Sequence, residues 1–186
     1  MSDANRKTLE EIHNYWKKRS LPELYVTQVK RSEFLFGYIK DYIKKSGKIL
    51  EIGCNAGRNL NYIYEKGYED LTGIEISKEA VDALKRTYPL LKENAEIIHC
   101  PVENIIKDIP TNYFDLVFTM ALLEHIHPDS EWIFEEIARI SSSYIITIEA
   151  EKSEHWRIFP RNYKEIFEKY GFLQVEEGSE STSYED

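Results

Sequence analysis

Two glycines and two carboxylates, set around one turn, are the residues of this chain best placed to organise chemistry. The turn reads Glu51-Ile52-Gly53-Cys54-Asn55-Ala56-Gly57-Arg58-Asn59 and follows an apolar run. Gly53 and Gly57 let the backbone turn sharply and approach a ligand closely where a helix begins. Such a pair is equally what any strand-to-helix turn uses, so by itself it identifies nothing. Glu75 lies 18 residues beyond Gly57, at the end of the next apolar run LTGIEI. There a carboxylate can accept the hydroxyl protons of a ribose held beside the first turn. Together they describe an adenosine-type ligand. A dinucleotide requires Gly-x-Gly-x-x-Gly, and here Asn55 stands two residues after Gly53, so the match fails. Glu51 would repel a pyrophosphate and suit a ligand that carries an ammonium and a sulfonium.

A second group follows the run YFDLVFT: Glu124, His125 and His127. Imidazole titrates in the range useful to a general base, which makes His125 the candidate for taking a proton from an acceptor. The alternative is that Glu124 and His125 only fix the loop, with His127-Pro128 leading to a helix capped by Asp129 or Ser130. Three potential metal ligands within four residues of a turn do not converge readily on one ion, and no distant partner is evident. No metal is expected. Cys54 and Cys100 form no CxxC pair and read as reduced thiols.

The elements that must position these groups alternate. Helical spacing of Leu9, Ile12 and Trp16 marks a first helix between Lys7 and Arg19, which Pro22 interrupts; a second runs from about Val29 to Lys45 and ends at Ser46-Gly47. From there KILEIG, LTGIEI, EIIH, YFDLVFT and YIITIE read as strands, and GFLQVEE as one more. Helices lie between them: one carries Leu60, Ile63 and Tyr64, one is capped by Ser77, one contains Ile133, Ile137 and Ile140, and the last is capped by Asn162 with Glu165. Strands alternating with helices over short loops imply parallel βαβ units, an α/β doubly wound sheet covered on both faces as a three-layer sandwich. Ligands in such sheets sit beyond the carboxyl ends of the strands, where these loops are.

With 186 residues, 42% hydrophobic and 31% charged, the chain has material for one folded domain. The expected division is a helical N-terminal segment, 1–46, over a core of 47–186. The formal charge of -9 argues against broad phosphate-backbone binding, so a nucleic-acid partner is not expected. No apolar run reaches the roughly 20 residues a bilayer requires, and a cytoplasmic protein, monomer or homodimer, is the expectation. The acidic tail GSESTSYED reads as disordered.

LEIGCNAGRNL, GIEIS, HCPVENI and FDLVFTMALLEHI, in that order, resemble the class I S-adenosylmethionine-dependent methyltransferases, especially the small-molecule type, over about residues 47–176. The resemblance implies a Rossmann-like fold and S-adenosylmethionine as cofactor. It implies that Glu51 and Gly53 line the methionine part, that Cys54 and Asn55 of the same turn also bind the cofactor, that Gly57 lets the turn close, and that Glu75 holds the ribose with Ile76 against adenine. Many relatives read Gly-Asp-Ala in the third stretch, where this chain has Cys100-Pro101-Val102. The adenine carboxylate is therefore missing, and Val102 and Glu103 are its substitutes. Thr119 and Met120 are expected beside the methionine moiety, and Tyr15 and Arg19 at its carboxylate, under an N-terminal lid. Tyr25, Trp156, Arg157 and Arg161 are candidates for shaping the acceptor pocket. The usual C-terminal antiparallel strand pair is shortened here to one strand near Phe172 to Glu176, so the sheet edge is reduced or completed by a partner chain.

The function expected from these residues is transfer of a methyl group to a small-molecule acceptor by in-line displacement. The rivals are a protein or RNA methyltransferase and a non-catalytic S-adenosylmethionine-binding module. Against RNA, Thr119-Met120-Ala121-Leu122 offers no Asn/Asp-Pro-Pro-aromatic run to stack a flipped base.

Overall fold

Five strands form one parallel sheet in the order β3-β2-β1-β4-β5. They are β1 (Ile49–Ile52), β2 (Leu71–Glu75), β3 (Glu96–His99), β4 (Phe114–Met120) and β5 (Ser141–Ile148). This is a computed structural model, and it describes residues 7–178. The chain builds outward from β1 to β3 and then returns to lay β4 on the other side of β1. That reversal opens a crevice beyond the carboxyl ends of β1 and β4.

The helices are α1 (Leu9–Lys18), α2 (Pro22–Thr27), α3 (Val29–Tyr42), α4 (Arg58–Glu65), α5 (Lys78–Thr87), α6 (Pro89–Asn94), α7 (Ile133–Ile140) and α8 (Tyr163–Glu168). Successive strand residues point to opposite faces, so each strand feeds two cores. Leu50, Ile52 and Val117 pack with Ile133, Ile137 and Phe167 on one face. Ile49, Leu116 and Phe118 pack with Leu35, Ile39, Leu60 and Leu84 on the other. Helix α3 thus belongs to the packed layer, while α1 and α2 lie over the crevice. Thr8 caps α1 in a reciprocal box with Glu11, Ser77 caps α5, and Asn162 caps α8.

Several local expectations change. Pro22 and Pro89 do not break structure but begin α2 and α6, since the first helical position has no intrahelical use for an N–H. Asp129 and Ser130 cap nothing: they belong to a single 3-10 turn over Pro128–Ser130, and α7 starts three residues later. β5 begins at Ser141, ahead of the apolar run that marked it. Residues 172–177 are in no strand, and Leu173 and Val175 are exposed, so the expected C-terminal strand does not form beside the open edge of β5. The acidic tail lies outside the described residues apart from Gly178. Among the described residues no helix is long and apolar enough to cross a membrane.

Candidate functional site

The crevice is a cleft of about 830 Å³, open solvent included, which is in the range of small-molecule sites. Its floor is Ile52, Gly53, Asn55, Ile74, Glu75 and Ile76, its far wall Val102 and Glu103, and its near wall Met120, Leu122 and His125. Leu9, Ile12, His13 and Trp16 of α1 roof it. A smaller cavity of about 300 Å³ adjoins it, lined by Glu51, Cys54, Ala56, Arg58 and Asn59. Tyr25, Gly53, Asn55 and Met120 line both. Gly53 has φ of +77°, and a Cβ there would lie 2.8 Å from Leu122 Cδ1, so both the backbone conformation and the close approach of Leu122 call for glycine where the two chambers share a wall.

At the small chamber, Glu51 is 2% exposed. Its Oε1 accepts from Asn59 Nδ2 at 2.7 Å and its Oε2 has no partner among the described residues. Burial pushes this carboxyl up to about 8, against the pull of the Asn59 bond and of Arg58. Arg58 is also buried and, among the described residues, meets no carboxylate in a hydrogen bond. Its guanidinium donates to Ser32 Oγ at 3.0 Å, the Tyr25 carbonyl at 3.1 Å, Asn59 Oδ1 at 3.0 Å and Met120 Sδ at 3.3 Å. A buried cation beside a carboxyl with an unused oxygen is a site prepared for a zwitterion.

At the middle, Glu75 accepts from the backbone N–H of Asn55 at 2.9 Å and of Ser77 at 2.7 Å. Both turns are thereby tied to one carboxylate, whose pKa burial raises. Gly57 lines neither chamber. It caps α4 at φ +76°, where a Cβ would lie 2.5 Å from Leu84 Cδ1, and its role is to let helix and sheet close. At the far wall, Glu103 accepts from or pairs with His13 Nε2 at 2.9 Å, and that bond holds its carboxyl below the usual range despite burial.

At the other end, His125 Nδ1 is 2.7 Å from the Arg157 carbonyl, which can only accept, so Nδ1 carries the proton and Nε2 holds the lone pair of the neutral ring. Nε2 is 3.5 Å from Glu124 Oε1, and the ring lies 4.4 Å from that of Trp16. Burial lowers the imidazole pKa, outweighing Glu124 and the carbonyl bond. Glu149 fixes the loop before it by accepting from Thr119 Oγ1 at 2.7 Å and Leu122 N at 2.9 Å. Burial pushes Glu149 up to about 8.

Thr119, Tyr15 and Arg19 were expected at the methionine end and line neither chamber. Thr119 is turned to Glu149; Tyr15 packs edge-on to Trp16 and Trp156 at 5.0 Å each; exposed Arg19 lies 5.9 Å from the Tyr15 ring. Arg161, an acceptor-side candidate, clamps the loop instead, donating to the Leu123 and Ile126 carbonyls. The residue that sequence reasoning passed over is Arg58. A cation in the first turn of a helix opposes the helix dipole, and that mismatch was its signal. Glu149 had none.

A family model described as a methyltransferase domain matches residues 50–143. An uncharacterized methyltransferase of Schizosaccharomyces pombe is 28% identical over 138 residues, 68% of this chain and 48% of its own length. The human eEF1A lysine and N-terminal methyltransferase is 24% identical over 124 residues, 63% of this chain and 17% of its own. The chain spans less than half the length of the curated relatives it matches. Among solved structures, phosphoethanolamine N-methyltransferase 2 of Haemonchus contortus, in complex with S-adenosyl-L-methionine, superposes with a TM-score of 0.67 at 17% identity, over 89% of this chain and 45% of that one. At that identity the likeness concerns the fold.

Proposed function

The chain belongs to the methyltransferase domain family, and from that premise we propose that it is an S-adenosylmethionine-dependent enzyme that methylates a small-molecule acceptor. The observation that carries this reading is the pair of chambers joined at Gly53, one holding Glu75 and the other an unspent Glu51 oxygen beside buried Arg58. The residues fit the cofactor. Arg58, rather than Arg19, lies at the chamber that would take the methionine carboxylate, and to hold it the guanidinium would exchange its long contacts to Met120 Sδ at 3.3 Å and Gln28 Oε1 at 3.4 Å for the carboxylate oxygens. Glu51 would take the ammonium, with Cys54 and Asn55 on the chamber wall. Glu75 would hold the ribose, and Ile76, Val102 and Glu103 the adenine. Bound there, S-adenosylmethionine supplies a methyl group already activated by its sulfonium.

The remaining work falls to alignment and proton removal. His125 is the residue for the second: the Arg157 carbonyl keeps its proton on Nδ1, and burial keeps the ring neutral, so Nε2 can accept a proton from the acceptor. Glu124, 3.5 Å from Nε2, would stabilise the imidazolium so formed. A small acceptor is favoured by the roof. Helix α1 is tied down along its length, by His127 Nε2 to the Lys7 carbonyl at 3.2 Å, by His13 to Glu103 at 2.9 Å, and beyond its end by Asn55 Nδ2 to the Ser20 carbonyl at 2.8 Å. A folded protein surface would have to displace it.

Calorimetric titration with S-adenosylmethionine, S-adenosylhomocysteine and NAD tests the cofactor. Binding of the first two without NAD is expected; failure of both by folded protein would refute it.

A further inference from the structure

Two residues that line the cleft carry a buried side-chain polar atom with no hydrogen-bond partner among the described residues: Glu51, through Oε2, and Trp16, through Nε1. A buried donor or acceptor left unpaired is costly, so each such atom asks for an explanation. For Glu51 the cofactor ammonium supplies one. Trp16 stands in the other chamber and needs another. Leu9, Ile12, His13 and Trp16 recur at three- and four-residue spacing, which gathers them on the one stripe of α1 that roofs the cleft. The Trp16 ring is held there by its neighbours: the Tyr15 ring meets it edge-on at 5.0 Å, and the His125 ring lies 4.4 Å away, tilted by 41°. The Arg157 guanidinium, 5.6 Å from the ring, has only donors to offer. None of these neighbours takes the indole N–H.

Beside this donor stands an acceptor. His125 lines the same chamber, and because its Nδ1 proton goes to the Arg157 carbonyl at 2.7 Å, the lone pair of the neutral ring is on Nε2. Glu124 Oε1, 3.5 Å from Nε2, is itself an acceptor when ionised and cannot satisfy that lone pair. The other histidines of this chamber are engaged, His13 with Glu103 at 2.9 Å and His127 with the Lys7 carbonyl at 3.2 Å. Around the two rings the lining is apolar, with Leu9, Ile12, Leu122 and Ile126. A donor and an acceptor on adjoining rings, in such surroundings, specify the group that can satisfy both.

We propose that Trp16 recognises the methyl acceptor through Nε1–H and that the group it recognises is a hydroxyl, so that the attacked atom is oxygen. The inference rests on the methyltransferase reading and names the acceptor class for it. A hydroxyl has one proton and two lone pairs. One lone pair accepts from Trp16 Nε1 and the other attacks the methyl carbon. The O–C bond forms as the C–S bond breaks, the bonding pair stays on sulfur and neutralises the sulfonium, and the hydroxyl proton passes to His125 Nε2, which takes up the positive charge. A neutral amine has a single lone pair, which cannot both accept from the indole and attack. An ammonium has none, and it would leave the Trp16 donor unpaired in a closed site.

The test is a proton–nitrogen NMR titration of the full chain saturated with S-adenosylhomocysteine, with phenol, toluene and benzylamine as probes. The 3 tryptophans of the chain give one indole N–H signal each, and the signal missing from Trp16→Phe belongs to Trp16. Phenol should move that signal downfield, beyond the ring-current shift that toluene causes. It should also bind about tenfold more tightly than toluene or benzylamine, as two hydrogen bonds between neutral groups allow. In Trp16→Phe the preference for phenol over toluene should shrink about threefold or more. A Trp16 signal that phenol leaves in place, a phenol affinity no greater than that of toluene or benzylamine, or an undiminished phenol preference in Trp16→Phe would each overturn the proposal. Failure of the wild-type chain to bind S-adenosylhomocysteine at all would instead overturn the cofactor reading beneath it.

Discussion

The two ends of the cleft are built on opposite plans. At the small chamber, Glu51, Arg58, Asn59 and Ser32 form a buried polar network whose members come from β1, α3 and α4, all within the packed layers. At the other end, Trp16 and His125 come from α1 and a 3-10 turn, backed by Arg157 of the long connection after β5, and they meet through ring contacts and one backbone bond. The first plan fixes a charge pattern before any ligand arrives, at the cost of burying ionisable groups that polar neighbours must satisfy. The second rests on elements that can vary without disturbing the core.

The sharpest way to separate the ends is at His125. His125→Asn can still donate to the Arg157 carbonyl but lacks a basic nitrogen; turnover should fall roughly 10²–10⁴-fold, while S-adenosylhomocysteine affinity holds. Unchanged turnover across pH would remove His125 from the role of base and leave it as a loop support. Arg58→Met should do the reverse. It removes the cation from the small chamber, and cofactor affinity should drop about ten- to a hundredfold, the effect of one or two charge-assisted hydrogen bonds. Titration of folded variant, checked by thermal melting, reads this directly, and an unaltered affinity would return the carboxylate to Arg19.

The comparison also has a pH signature. Burial raises Glu51 to about 8 in the folded protein, against an ordinary 4.5. The native state therefore holds a proton that the unfolded chain has released, so this group's contribution to stability is full below about 4.5 and is lost as pH rises through about 8. Glu149 adds the same slope at the opposite end of the cleft. Denaturant unfolding between pH 5 and 8 should show ligand-free stability falling, and Glu51→Gln should flatten part of that fall. A slope identical in the variant would mean that Glu51 is charged and solvated in the native state. The smallest effect is expected where the ends are joined. Ser77 Oγ accepts from Ala80 N at 3.3 Å as the α5 cap and lies 3.1 Å from Ser20 Oγ beyond the roof helix. Ser77→Ala should cost about 1 kcal/mol of stability, measured by chemical denaturation; a loss of several would show that the roof is part of the folding core.

Five of the six strands read from the sequence form the sheet, and the β1 and β2 turns and the caps at Ser77 and Asn162 were legible as well. These depend on local chemistry: apolar runs of strand length, glycines with positive φ, and a carboxylate at a strand end. Glu51, Gly53, Asn55, Glu75, Ile76, Val102, Glu103, Met120 and His125 were accordingly legible as wall residues and do line the two chambers. Only the tertiary structure decided the rest. Arg58 acquires its meaning from Ser32 and Tyr25, some 26 and 33 residues away. Thr119 sits in the motif beside Met120 but alternates to the opposite side of β4, where Glu149 receives its hydroxyl. Tyr15 lies on a helix whose rotation about its axis is set by Ile12, buried at 2% exposure, and that rotation carries it, with Arg19 at the helix end, away from the cleft lining to the side of Arg157. Spacing along a chain specifies which face of an element a residue occupies. Which neighbour that face meets is settled by packing between distant segments, and the acceptor end of this cleft is made almost wholly of such meetings.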